Sequence, residues 1–283
     1  MNISIISIFN TWENQQMMKA LEDRGVRSTS ESPRRLLFAM EEKDFLNPEY
    51  DLLLNRVDIT SYLQFPERQI RILEYIEEFV PIVNNIDSTL VAINKFSTYL
   101  KLKGAGLPVP NSYIITSSSN VDAILKKIRT PFVCKPIIGT RGFDVILFQD
   151  KKIYKFYRGT LINADYMIQE YVETGGRDIR VFVVGGEAIG AIWKIAPEGE
   201  WRTNISRGGK AEAMELNEEL EELCLKSART IGVEVCGVDV VQDEKGYKII
   251  EVNAVPDFRG FFDAKGINPA EYIADYAIQK VKK

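Results

Sequence analysis

Gly237-Val238-Asp239-Val240-Val241 and Tyr247-Lys248-Ile249-Ile250-Glu251-Val252-Asn253 are the two runs from which the rest of the chain is read. Both are rich in β-branched residues and flank the polar run Gln242 to Gly246, the pattern of a β-hairpin. Strand side chains alternate between faces, which puts Tyr247, Ile249, Glu251 and Asn253 on one side. With 242–246 as a five-residue turn, Val241 pairs with Tyr247 and Asp239 with Ile249. Asp239 then lies diagonal to Glu251, within side-chain reach. Two carboxylates that close repel unless a cation or proton intervenes. A divalent ion held by Asp239, Glu251 and Asn253 is one reading, and a polar, solvent-facing strand edge is the other.

Composition narrows the metal. The chain has 283 residues and no histidine, which removes imidazole zinc sites, Ser-His-Asp and Cys-His catalysis, and histidine general bases. The remaining ligands are hard oxygens, suited to Mg²⁺, Mn²⁺ or Ca²⁺. Cys134, Cys224 and Cys236 share no CxxC spacing and sit among apolar neighbours, the pattern of buried free thiols in a reducing, cytoplasmic compartment. A net charge of −4 argues against nucleic-acid binding. The apolar run at residues 1–8 lacks a basic flank and is too short to span a bilayer, so neither export nor a membrane partner is expected.

The length predicts two or three lobes of α/β class. Strand Ile3–Phe9, helix Trp12–Arg24, strand Asp51–Val57, helix Glu67–Phe79 and strand Val80–Val83 make an N-terminal α/β lobe, residues 1–90. Residues 91–165 make a smaller central unit. It has a helix over 94–104, strands Asn111–Ile115, Phe132–Pro136 and Val145–Phe148, and a helix Asn120–Ile128. Residues 166–283 begin with Met167–Val172 and continue through strands Ile179–Val184 and Ala188–Ile195. A polar loop Pro197–Lys210, helix Asn217–Ile231, the hairpin and helix Pro269–Lys280 complete them.

Two more constellations carry charge. Lys135 interrupts the apolar strand Phe132–Pro136, where its ammonium needs an anion. The following Gly139-Thr140-Arg141-Gly142 can turn backbone N–H groups toward a phosphate, or form an ordinary strand turn. Trp201-Arg202-Thr203-Asn204 and Arg207-Gly208-Gly209-Lys210 make a cationic loop, equally a phosphate clamp or a solvated surface segment.

These runs stand in series with Asn94-Lys95, Ala105 to Pro110, Gln169-Glu170-Tyr171-Val172 and Gly176-Arg177-Asp178-Ile179-Arg180. In that order, over about residues 91–272, the chain resembles the ATP-grasp superfamily, and within it the ligases similar to the ribosomal protein S6 modification enzyme. That group includes α-L-glutamate ligases of coenzyme F420 and tetrahydromethanopterin synthesis and the lysine-biosynthesis ligase acting on α-aminoadipate. The resemblance implies an ATP-grasp fold, an N-terminal α/β lobe followed by two lobes clasping ATP.

It also implies roles. Lys95 and Lys135 resemble the paired lysines on the ATP phosphates, and Gly139, Thr140, Arg141 and Gly142 the loop closing over them. Gln169, Glu170, Tyr171 and Val172 resemble the hinge that reads adenine, and Asp178 the ribose acceptor. Lys194 and Asn204 look like further nucleotide contacts. Asp239, Glu251 and Asn253 look like ligands of two Mg²⁺ ions, replaceable by Mn²⁺. Arg202, with Lys135, looks catalytic, steadying an acyl phosphate. Phosphoryl transfer asks mainly for positioning and positive charge, which lysines, arginines and metal ions supply without histidine.

The implied activity is amide formation between a carboxylate acceptor, a small molecule or peptide, and an amino acid, with L-glutamate favoured. After the metal run, Pro256 and Arg259-Gly260 fit the glutamate-ligase branch, although Asp257 stands where that branch has Gly. Arg56, Arg207 and Arg259 compete to grip a substrate carboxylate, with a surface salt bridge as the bland alternative for Arg56. An aminoadipate- or carrier-protein-modifying ligase and a catalytically silent nucleotide-binding regulator are the competing functions. Ligases of this kind form homo-oligomers, dimers or tetramers.

Overall fold

The computed structural model describes residues 1–43, 50–57, 66–115, 118–139, 144–152, 154 and 165–283. An N-terminal parallel sheet, in order β2-β1-β3-β4, is built from β1 (Ile3–Ile6), β2 (Ser30–Glu31), β3 (Leu52–Asn55) and β4 (Ile82–Val83). All four residues of β1 and of β3 are buried, as expected of parallel strands covered on both faces. Helices α1 (Trp12–Glu22), α2 (Pro33–Lys43) and α3 (Pro66–Glu77) accompany them.

Two short helices follow, α4 (Ile86–Ile93) and α5 (Lys95–Gly104). Each starts on an asparagine whose side chain accepts a backbone N–H, Asn85 from Ser88 and Asn94 from Ser97. An antiparallel sheet in order β5-β8-β6-β7 comes next, from β5 (Ser112–Ile114), β6 (Phe132–Pro136), β7 (Ile146–Phe148) and β8 (Tyr166–Glu170), with α6 (Ser118–Lys127) on its apolar side. The sequence of β8 stands at the head of residues 166–283, yet its hydrogen bonds place it here, between β5 and β6.

The largest sheet is antiparallel, in order β11-β10-β9-β12-β13. It comprises β9 (Arg177–Val184), β10 (Glu187–Ile195), β11 (Lys210–Met214), β12 (Val235–Asp243) and β13 (Gly246–Asn253). One face buries Val181, Val238, Val240 and Val252 against Leu220, Cys224 and Ile231 of α7 (Glu218–Ile231). On the other, Phe182, Val184 and Ile192 share a core with α8 (Arg259–Lys265), α9 (Pro269–Lys282) and, from the first sheet, Ile3, Ile5 and Leu54. Arg24 of the N-terminal part pairs with Glu271 and Asp275 of α9, each at 2.6 Å. The polar loop expected over Pro197–Lys210 ends where β11 begins, with a 3₁₀ turn at Ile205–Arg207 inside it.

The hairpin register differs from the expected one. Asp243 pairs with Gly246, Val241 with Lys248 and Val240 with Ile249, so Asp239 stands directly opposite Glu251. Two features cause this. Gly246 takes φ +110 and Asp243 accepts the Lys245 N–H at 2.9 Å, closing a shorter turn. Ile250 is then an extra residue on β13, a β-bulge that reverses the pleat. Tyr247 and Ile249 therefore join Val252 in the core beneath α7, and Ile250, Glu251 and Asn253 line the cavity on the other face.

Candidate active site

Between the sheets lies a cavity of about 500 Å³. The hairpin contributes Asp239, Glu251 and Asn253 to its wall; β9 and β10 contribute Asp178, Arg180 and Lys194. From the other side come Lys135 on β6, the run Gln169 to Val172, and Lys95 and Gly139. Arg202 and Asn204 close one edge and Arg259 another. Thr140, Arg141 and Gly142 lie outside the described residues.

At the centre is a buried cluster of two acids and two bases. Arg180 donates to Asp239 through Nε at 2.7 Å and through Nη2 at 2.8 Å. Lys194 bridges Asp239 at 3.1 Å and Asp178 at 2.9 Å. The Thr203 hydroxyl donates to Asp178. Burial raises the cost of charge on both acids. For Asp178 burial wins and its carboxyl is pushed up; for Asp239 the Arg180 and Lys194 charges overcome burial and hold it down to about 2.

Lys135 is a further buried cation. It donates to Gln169 Oε1 at 2.9 Å, Gln169 Nε2 donates to Ser112 Oγ at 2.9 Å, and Ser112 donates to the Pro110 carbonyl at 3.0 Å. Burial pulls Lys135 down to about 8; Glu251 and Asp239 oppose the fall and Lys95 adds to it. Lys95 sits 3.2 Å from Glu251 and donates to the Gly139 carbonyl at 2.5 Å. A Cβ at Gly209 would lie 2.5 Å from the Thr203 carbonyl oxygen, so only glycine lets the Arg202–Asn204 segment fold back so tightly.

Four arginines behave differently from one another. Arg202 rests on Trp201 with its fork on Glu200, at 2.8 Å through Nη2, and that pairing holds the Glu200 carboxyl down to about 2. Arg259 lines the cavity above the Trp12 ring. Arg56 does not line it: at 8% side-chain exposure it donates to the Pro256 carbonyl at 2.7 Å and sits 3.7 Å from Asp257. Its contacts hold the turn after β13 in place. Arg207 is exposed on the 3₁₀ turn, away from the cavity wall.

The sequence reading gave no role to Arg180, Thr203 or Ser112. Arg180 was legible in part, because it stands two residues from Asp178 on one strand and so shares its face. Ser112 and Thr203 carry no such signal, since their partners come from distant strands.

Comparison with known proteins gives the same picture. Residues 92–277 match the RimK-like ATP-grasp domain. A tetrahydromethanopterin:alpha-L-glutamate ligase from Methanosarcina acetivorans is 37% identical over 229 residues, 70% of each chain. The glutamate–LysW ligase ArgX of Sulfolobus acidocaldarius is 36% identical, over 69% of this chain and 71% of that one. In fold, the chain superposes on the ATP-grasp ligase PsnB, solved with a precursor variant, Mg and ADP, with a TM-score of 0.78 at 19% identity over 99% of this chain and 98% of that one.

Proposed function

The chain belongs to the RimK-like ATP-grasp family and is an ATP-dependent ligase, and from that premise we propose that it joins the amine of L-glutamate to the carboxylate of a small molecule or peptide. The observation that carries the reading is the convergence of four cations, Lys95, Lys135, Arg180 and Lys194, with the oxygens of Asp239, Glu251 and Asn253 in one cavity. The names of the relatives, two of them glutamate ligases, support glutamate as the amine. A carrier protein as acceptor is the second reading, favoured by the relative that acts on LysW.

The donor set fits Mg²⁺. Asp239 and Glu251 oppose each other, Asn253 stands beside them, and all three present hard oxygens. Each Asp239 oxygen has more than one lone-pair position, and among the described residues Oδ1 accepts only from Arg180 Nε. Among the described residues no third acid joins them, which suits an ion that keeps water and phosphate oxygens in its shell. In this reading Asp239, Glu251 and Asn253 hold two Mg²⁺ ions, or Mn²⁺, whose chemistry is to neutralise charge on the transferring phosphoryl group.

The chain's own residues do the rest. Lys95 and Lys135 hold the nucleotide phosphates, Tyr171 and Val172 flank the base, and Asp178 and Asn204 meet the ribose side. Lys194 steadies Asp178 and Asp239. Arg202 faces the acyl phosphate that the acceptor carboxylate forms, and Arg259 grips a substrate carboxylate. Gly139, whose carbonyl accepts from Lys95, faces the phosphates. The three lobes of this reading are residues 1–90, 91–165 and 166–283, with β8 at the start of the last returning to the central sheet, in a cytoplasmic dimer or tetramer. The buried free thiols accord with that compartment.

The test is ADP release with Mg-ATP across amino acids crossed with carboxylate acceptors. Release should require both partners and be fastest with L-glutamate. Release with an acceptor that is indifferent to which amino acid is present overturns the glutamate assignment.

The pH dependence of nucleotide binding follows from Lys135. Its folded pKa lies below the ordinary lysine value, at about 8, so the ammonium that attracts phosphate is present below that pH and lost above it. ATP affinity should fall as pH rises through about 8, and Lys135→Arg, charged throughout, should flatten the fall. Titration calorimetry between about pH 7 and pH 9 checks it, and a pH-independent wild-type affinity contradicts it.

A further inference from the structure

Glu13 is the second residue of α1, and Thr11 caps that helix by accepting the Asn14 N–H. An acidic residue in a first turn ordinarily serves the helix dipole from a solvated position. Glu13 is instead only 7% exposed and lines the central cavity. Its neighbours have partners: the Asn14 side chain donates to Ser7 Oγ and to the Phe9 carbonyl, each at 2.8 Å. The Glu13 carboxylate makes no hydrogen bond or ion pair among the described residues. Its carboxylate opens onto the cavity, where a cationic group of a bound molecule can reach it.

The position limits what that cation is. Lys95, Lys135 and Gln169 reach the cavity from α5, β6 and β8, whereas Glu13 reaches it from the N-terminal lobe. Asn253, Asp257 and Arg259, from the end of β13 and the start of α8, line the same cavity. Asp239, Glu251 and Asn253 come to the cavity from the hairpin, and Glu13 comes to it from α1. The guanidinium of Arg259 lies 5.8 Å from the ring centroid of Trp12, the residue before Glu13. An anion and a cation presented from adjoining positions match a molecule carrying both an ammonium and a carboxylate.

We propose that Glu13 holds the ammonium group of the amino-acid substrate and takes up its proton as the free amine forms, while Arg259 faces a carboxylate of the same molecule. This rests on the ligase reading above and makes Glu13 a specificity-determining residue for the amine. It explains why a carboxylate is kept buried and without a partner at a helix start.

The experiment uses the full chain loaded with Mg-AMPPNP and compares L-glutamate with glutarate, the same dicarboxylate without the ammonium, by calorimetry. Wild type should prefer L-glutamate by roughly tenfold or more, the scale of a hydrogen-bonded charge pair. Glu13→Gln should erase the preference and leave Mg-AMPPNP affinity unchanged. Glu13→Asp, which keeps the charge on a shorter stem, should retain part of the preference and serves if the glutamine variant does not fold. An unchanged preference in Glu13→Gln overturns the proposal, as does a loss of Mg-AMPPNP affinity, which would make Glu13 part of the metal site. If wild type ignores L-glutamate but binds another amino acid in a Glu13-dependent way, the assignment of glutamate fails and that of Glu13 stands. Wild-type binding of no amino acid overturns both.

Discussion

Asp239→Asn is expected to remove roughly 3–5 kcal/mol of stability, the cost of leaving a buried charge without its partner. The substitution is nearly isosteric, so packing hardly changes. What changes is the balance of charge. Asp178 and Asp239 together match Arg180 and Lys194, with all four groups nearly removed from water. Asparagine leaves Arg180 with a neutral acceptor where it had a bidentate carboxylate. The loss is a large share of the roughly 5–15 kcal/mol that holds a typical domain together. Urea unfolding at pH 7 measures it. The control is the double variant Asp239→Asn with Lys194→Met, which restores neutrality and should recover much of the loss; an additive double variant would show that charge balance is not the cause.

Asn84→Ala should cost roughly 3–5 kcal/mol for a different reason, the desertion of four buried hydrogen bonds. Asn84 follows β4 and is 2% exposed. Its Nδ2 donates to the carbonyls of Val235, at 2.6 Å, and Ala254, at 2.8 Å, while Oδ1 accepts from the N–H groups of Glu234, at 2.7 Å, and Val235, at 2.9 Å. One side chain thereby ties the first residue of β12 and the residue just after β13 to the N-terminal lobe. Alanine strands two backbone donors and two acceptors together. Asn84→Asp should be no better, because a carboxylate accepts from both N–H groups but repels both carbonyls. Thermal unfolding reads the stability, and a change in midpoint of only a degree or two for either variant contradicts the account.

What was legible in the sequence follows from how local its cause is. Phe132–Pro136 forms the strand its residues predict, and Gly104 ends α5 where expected. The hairpin of residues 235–253 was legible as a hairpin, but its register was not. One residue, Ile250, reverses the pleat, and whether an extra residue is accommodated depends on the partner strand and on α7 beneath it. For the same reason the sequence pointed to the separate charges Asp178, Lys194 and Asp239, while Arg180, which holds Asp239 on both oxygens, carried no assigned role. Arg56 reads in the sequence as either a substrate grip or a salt-bridge partner, and its guanidinium lies against the Pro256 carbonyl and Asp257, two hundred residues on. Asn84 is the extreme case, since nothing near it in sequence announces four hydrogen bonds to Glu234, Val235 and Ala254. Contacts made across the fold, rather than along the chain, are what the sequence hid.

The central claim is that Asp239, Glu251 and Asn253 form the Mg²⁺ site of an ATP-dependent ligase. Its most direct test is calorimetric binding of ADP, with and without Mg²⁺, to the wild type and to Glu251→Gln. Mg²⁺ should tighten ADP binding in the wild type, and the variant should keep its metal-free affinity while losing most of that tightening. A Glu251→Gln protein that binds Mg-ADP as the wild type does would contradict the assignment.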